Sequence, residues 1–132
     1  MDDRVTEERE RLIRSDPYCA RLGIELDDVG PGTARTRLTI DEDHRNFHGM
    51  AHGGAVYSLA DAAFAAASNA AGEDAFALET NISYLEAADV GTTLTATADC
   101  THETRRTGEY EIVVTDDDGN RVATFRGRVY KP

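Results

Sequence analysis

Asn46-Phe-His-Gly-Met-Ala-His52-Gly53-Gly54-Ala-Val-Tyr57-Ser-Leu-Ala-Asp61-Ala-Ala-Phe64-Ala-Ala-Ala-Ser-Asn69 is the stretch whose reading decides the fold of this chain. A polar loop with two histidines runs into a Gly-Gly pair, and the pair opens an apolar helix, about Gly54 to Ala71, that Gly72 ends. This helix is too apolar for a surface position and is expected to be buried. Its many alanines keep it slim, so a sheet can wrap closely around it. One carboxylate, Asp61, stands among alanines and aromatics, where it is costly unless it is paired or used. The helix N-terminus offers unpaired N–H groups and a partial positive charge, which suit a developing oxyanion. Loop, glycines and carboxylate together read as a catalytic site.

On the N-terminal side, Thr6 to Ser15 begins with a capping residue and acids, which predicts a short helix. Pro17 to Leu22 adds another helical turn, so residues 1–22 read as a helical segment. Gly23 to Val29 reads as a strand and Gly30-Pro31-Gly32 as a turn. Thr33 to Ile40 alternates in hydrophobicity and completes a hairpin. On the C-terminal side four strand-like runs follow, Ala75–Leu85, Thr92–Thr101, Gly108–Thr115 and Arg121–Tyr130. Their short connections predict an antiparallel meander. The whole chain, 1–132, therefore reads as one α+β domain, an antiparallel sheet of about six strands curled round one long central helix. Such a sheet leaves edges exposed, which predicts pairing into a dimer.

The chain carries 25 acids against 14 bases, a net charge of −11, and Lys131 is its only lysine. A surface of that sign repels nucleic acid and anionic lipid, so neither is expected as a partner. The charge reads either as a solvated, solubilising surface or as adaptation to high salt, and the scarcity of lysine favours the second. The longest apolar run, Ala55 to Ala71, is interrupted by Ser58, Asp61, Ser68 and Asn69 and does not read as a membrane span. No basic region precedes an apolar one near Met1, so a soluble cytoplasmic protein is expected. Cys19 and Cys100 are isolated and read as buried free thiols. No metal site and no cofactor are expected, since metal-spaced histidine pairs and nucleotide-binding glycine motifs are missing.

Asp61 is the first choice for a general base or nucleophile; the alternative is an aspartate merely paired with an arginine or capping a loop. Gly53 and Gly54 can present backbone N–H groups to a carbonyl oxygen, or simply punctuate a helix start. The Asn46 side-chain amide can hold a water or the carbonyl, or serve as a turn residue. His52 either orients the loop or donates to the reacting group, and His48 is a weaker version of the same. His44 and His102 read as surface residues. Arg105 and Arg106 form a cationic pair that either binds ligand phosphates or caps a solvated hairpin. Gly53 and Asp61 are eight residues apart, roughly 12 Å along a helix axis. They cannot both touch one carbonyl from one helix, so a shared site must draw them from two subunits.

The segment His52-Gly53-Gly54-Ala-Val-Tyr57-Ser-Leu-Ala-Asp61-Ala-Ala-Phe64-Ala resembles the signature of hotdog-fold acyl-CoA thioesterases of the phenylacetate-pathway (PaaI-like) type. The resemblance continues through Asp16-Pro17, Leu22-Gly23-Ile24, Asn81-Ile-Ser-Tyr84-Leu, Gly91-Thr-Thr-Leu, Arg105-Arg106-Thr107-Gly108 and Ala123-Thr-Phe125-Arg-Gly127. It implies a hotdog fold, homodimers or dimers of dimers (homotetramers), and hydrolysis of an acyl-CoA. By the same resemblance Asp61 is the catalytic carboxylate, Gly53 the donor that polarises the thioester, and Asn46 the side chain that positions water or substrate. His52 belongs to the motif without an assigned role. Some relatives carry a hydroxyl one turn after the carboxylate; here that position is Ala65, and Tyr57, Ser68 and Ser83 are the candidates to replace it.

The expected activity is hydrolysis of an aryl-acetyl-CoA or medium-chain acyl-CoA, with Gly54, Tyr57, Phe64, Arg105 and Arg106 binding substrate. Two alternatives stand beside it. A hotdog hydratase or dehydratase would pair His52 with Asp61, and a non-catalytic acyl-CoA-binding module would use the same pocket without turnover.

Overall fold

The computed structural model describes residues 5–132; the first four residues of the expected N-terminal helical segment lie outside it. The elements are α1 (Glu7–Arg14), α2 (Pro17–Leu22), β1 (Glu25–Gly30), β2 (Thr33–Thr39), a single 3-10 turn at Glu42–His44, α3 (Gly53–Asn69), β3 (Phe76–Tyr84), β4 (Thr93–Glu103), β5 (Thr107–Thr115) and β6 (Arg121–Tyr130). Each helix start has a local cause. Thr6 Oγ1 accepts the Arg9 N–H, and Asp16 Oδ1 accepts the Cys19 N–H just before Pro17 fixes the first helical residue.

The six strands form one antiparallel sheet in the order β1-β2-β4-β5-β6-β3. The expected β1–β2 hairpin is present, and β4, β5 and β6 do form a meander. The expectation fails at β3, which pairs with β6 at the sheet edge, while β4 pairs with β2. The chain between β3 and β4 therefore crosses the sheet end. Leu85 N–H bonds Val122 O on the β6 side, and Gly91 N–H bonds Ile40 O on the β2 side. Midway, Ala88 O accepts the Ala51 N–H, so the crossover also holds the loop that leads into α3.

Helix α3 lies across the sheet, chiefly over β2 and β4. Leu59, Ala60, Ala63 and Phe64 meet Leu38, Leu94, Ala96, Ile112, Val114 and Phe125 in the core. The alanine face lets the helix sit close, and the largest side chain on it needs a matching hollow. That hollow is Gly127, where a Cβ would stand 2.5 Å from the Phe64 ring. Among the described residues no helix is long and apolar enough to cross a membrane.

Helices α1 and α2 form a strap over the other side of α3. No residue of either is buried, and polar bonds hold α1 in place. The Arg9 guanidinium donates to Asp74 Oδ1 and Gly72 O, and Arg14 donates to Leu26 O and Glu10.

Candidate active site

Residues Arg45 to Ala51 fold into a tight loop closed by an antiparallel bridge between its ends. Asn46 organises it: its side-chain oxygen accepts the N–H groups of His48 at 2.9 Å and Met50 at 3.1 Å. Its backbone N–H also bonds Met50 O at 2.8 Å. The asparagine is thus a turn residue, and the Asn46 side-chain NH₂ has no acceptor among the described residues. Phe47 and His48 stack on each other at the exposed tip, with ring centroids 4.2 Å apart.

His52 ends the loop in an extended conformation and caps α3. Its Nδ1 accepts the Gly54 N–H at 2.8 Å, so the neutral ring carries its proton on Nε2. Its carbonyl accepts the Ala55 and Val56 N–H groups. Gly54 is therefore not a free donor, contrary to the expectation that both glycines face a ligand. Gly53 N–H is the first-turn donor with no acceptor among the described residues. The Tyr84 hydroxyl donates to Gly53 O at 3.0 Å, and its ring lies so close that a Cβ on Gly53 would stand 3.3 Å from it. Burial, and then the neighbouring Tyr57, raise the Tyr84 phenol above its ordinary pKa. Tyr57 is half-buried and shares a 2.6 Å hydroxyl contact with Thr80 beside this end of the helix.

Asp61 lies two turns further along. It is half-buried and makes no hydrogen bond or ion pair among the described residues, so there it is paired with no arginine and caps no loop. Burial raises its pKa above the ordinary aspartate value, and the negative charge of Asp16 adds to the shift. A carboxylate so placed binds a proton more readily than a solvated one, which suits a base.

Two expectations require correction. Phe64 is 1% exposed, edge-on to Tyr110 and tilted against Phe125, so within the chain it is a core residue rather than a pocket wall. His44 is no surface residue: it is 7% exposed, its Nδ1 accepts the Asp41 N–H, and its Nε2 donates to Leu22 O at 2.7 Å. Its own carbonyl accepts the His52 N–H at 2.7 Å, so it ties the end of α2 to the cap of α3. Arg105 and Arg106 lie in the exposed β4–β5 turn, at the end of the sheet away from Gly53 of the same chain. Thr107 is opposite Tyr130, which is opposite Phe76, whereas Tyr84 and Gly53 lie at the other end of β3, roughly 25 Å away. Of the proposed replacement hydroxyls, Ser68 donates to Phe64 O and Tyr57 is engaged with Thr80.

A hydroxyl pair beside Asp61 has no local signal in the sequence, since its members are 40 positions apart. Ser58, one turn before Asp61, meets the Tyr18 hydroxyl of α2 at 3.0 Å. Tyr84, although it lies in a quoted motif, has no local signal either, because its contact with Gly53 spans 31 residues. Among the described residues no three His, Cys, Asp or Glu side chains gather as metal ligands do. Both cysteines are free and half-buried, and burial with Asp16 pushes the Cys19 thiol up to about 11.

Among the described residues the arrangement is thus a free N–H at a helix start, an unpaired amide on the preceding loop, and an unpaired carboxylate two turns along. The proteins this chain is similar to identify its family. Residues 48–123 match the model of the thioesterase superfamily. The chain is 34% identical to the acyl-coenzyme A thioesterase PaaI of Escherichia coli, over 99% of its own length and 94% of the relative's. It superposes on the structure of that protein with a TM-score of 0.90, covering 93% of this chain and 89% of the other. It is 35% identical to a 1,4-dihydroxy-2-naphthoyl-CoA hydrolase of Listeria monocytogenes, covering 73% of this chain and 80% of that one. A Streptococcus mutans protein solved with acetyl-CoA bound has a TM-score of 0.79 at 26% identity, covering 83% and 88% of the two chains. With its long helix on a six-stranded antiparallel sheet, this chain belongs to the thioesterase superfamily as a PaaI-like hydrolase of the hotdog fold.

Proposed function

We propose that the protein hydrolyses an aryl-acetyl or medium-chain acyl-CoA at sites shared between two copies of the chain. Asp61 of one copy and the Gly53 N–H of the other act on the same thioester. The observation that carries this reading is the half-buried Asp61 carboxylate, which has no partner among the described residues. The CoA thioester is supported by the names of the Escherichia coli and Listeria relatives and by the acetyl-CoA held in the Streptococcus mutans protein.

In this reading the Gly53 N–H polarises the carbonyl and stabilises the tetrahedral oxyanion. Asp61 either takes a proton from the attacking water or attacks the carbonyl carbon itself. The C–S bond then breaks and CoA leaves as the thiol; where Asp61 itself attacks, water then cleaves the acyl anhydride, releasing the acid and restoring the carboxylate. The Asn46 amide N–H₂ holds the water or the substrate carbonyl, and His52 keeps the helix start in shape. Two α3 helices packed antiparallel bring the Arg105–Arg106 end of one chain towards the Gly53 end of the other, so these arginines meet the CoA phosphates only in an assembly. The protein works as a dimer or dimer of dimers in the cytoplasm, and its net charge of −11 is an adaptation to high salt.

The test is release of free thiol from a panel of aryl- and alkyl-CoA thioesters, at low and molar KCl. Wild type should turn over at least one aryl or medium-chain substrate, and Asp61→Ala should lose nearly all turnover with unchanged helix content. Full turnover by Asp61→Ala would overturn the assignment.

A further inference from the structure

A cleft of about 720 Å³ runs between the α1–α2 strap and the outer side of α3. Its floor is Ala62, Ala65 and Ala66, and Ile13, Tyr18 and Ile24 wall it. Its volume lies in the range of sites for small molecules. The cleft adjoins Asp61, because Ala62 follows that residue directly and Ala65 lies one turn after it on the helix. Asp16 and Cys19 on the cleft wall also lie close enough for charge coupling with the Asp61 carboxyl. Across this end Tyr18, 60% exposed, reaches from α2 to the Ser58 hydroxyl at 3.0 Å, one turn before Asp61.

The charges at the cleft decide between the two halves of an acyl-CoA. Asp16, Glu25 and Asp74 line it, and its two cations are already engaged: Arg9 with Asp74 and Gly72 O, Arg14 with Glu10 and Leu26 O. Phosphates would meet acids without a free cation. An uncharged apolar chain would meet alanine, isoleucine and the tyrosine ring. We propose that the acyl group lies in this cleft and that Tyr18, tethered to Ser58 at its Asp61 end, sets the size of acyl group accepted. This rests on the thioesterase reading above.

The tether explains why a tyrosine suits this place. α2 is six residues long with none buried, so a side chain on it needs an anchor to act as a fixed wall. The Ser58 contact supplies one. With Tyr18 shortened, the wall goes and the cleft opens towards solvent.

The test is kcat/KM for a series from acetyl- to palmitoyl-CoA, with phenylacetyl-CoA, for wild type, Tyr18→Ala, Tyr18→Phe and Ala65→Phe. Tyr18→Ala should raise the long-to-short ratio of kcat/KM at least ~tenfold, and Tyr18→Phe, which keeps the ring but loses the tether to Ser58, should raise it by a smaller factor. Ala65→Phe, which fills the floor from an exposed helix position, should move the ratio the opposite way. An active wild type whose ratio is unchanged in both Tyr18→Ala and Ala65→Phe overturns this inference and leaves the thioesterase reading standing. An unchanged ratio with an altered assembly mass would assign the cleft to a second copy of the chain and likewise overturn it. A wild type inactive on the whole series overturns both.

Discussion

His52 Nδ1 accepts the Gly54 N–H at 2.8 Å, and this one bond gives the two adjacent glycines different roles. Gly54 is consumed by the cap, and Gly53 keeps a free donor. His52→Ala should therefore cost about 0.5–2 kcal/mol of stability, the usual worth of an N-cap, and lower kcat/KM through a frayed helix start. His52→Asn restores a capping acceptor and should recover both the melting temperature and most of the activity. A His52→Asn protein that melts like wild type yet is inactive would assign the imidazole to proton transfer instead.

Asn46 uses its oxygen within the loop and leaves its NH₂ free, so the two ends of one side chain can be tested apart. Asn46→Asp keeps the acceptor for His48 and Met50 and removes the donor. It should melt near wild type and lose about 10²–10³-fold in kcat/KM, the scale of one lost transition-state hydrogen-bond donor. Asn46→Ala should lose the same activity and also melt lower. Equal activity for Asn46→Asp and wild type would limit Asn46 to its turn.

The raised pKa of Asp61 links activity to stability with a definite sign. Burial makes the folded chain hold this proton more tightly than the unfolded chain does. The stability so gained is present below the unfolded pKa and is lost as pH rises through the folded one. At neutral pH the charged group is a net cost. Asp61→Asn should therefore raise the melting temperature at pH 7 by a few degrees, and the gain should disappear in acid below the ordinary aspartate range. The same substitution should lower kcat about 10²–10⁴-fold. The acid limb of wild-type kcat/KM should turn above the ordinary aspartate pKa. Melting curves of the two proteins across pH check the first part, and the rate profile checks the second.

A net charge of −11 on 132 residues makes repulsion among surface acids a general load on the fold. Salt at about 1 M shortens the screening length to about 3 Å and relieves it. It also weakens exposed pairs such as Arg37–Glu25, each worth little. The melting temperature should rise between low salt and molar KCl, as read by calorimetry. A flat or falling temperature would contradict adaptation to high salt.

What was legible before the structure, and what was not, divides by sequence distance. Helix α3 was expected at about Gly54–Ala71 and is found at Gly53–Asn69, because its cap, its apolar run and its stop are all local. The β1–β2 hairpin was legible for the same reason. Helical geometry alone also separated Gly53 from Asp61. The place of β3 was not legible, since pairing with β6 rather than β4 depends on a crossover held by Val122 and Ile40. With β3 misplaced, the Arg105–Arg106 turn had no assigned end. Phe64 looked like a pocket residue because its hollow is made by Gly127, 63 positions later and silent in any local pattern. His44 looked exposed because the carbonyl that buries it belongs to Leu22.

The central claim is that Asp61 of one copy works with Gly53 of another, and mixing inactive variants tests it most directly. An Asp61→Ala chain keeps an intact Gly53, while a Gly53→Val chain, whose side chain would press on the Tyr84 ring, keeps an intact Asp61. Each alone should be inactive. Co-refolded in equal amounts, half of the dimers are mixed and each holds one complete site of two, so thiol release should recover to about a quarter of wild type. No recovery, with mixed dimers verified by mass, would contradict a site shared between chains.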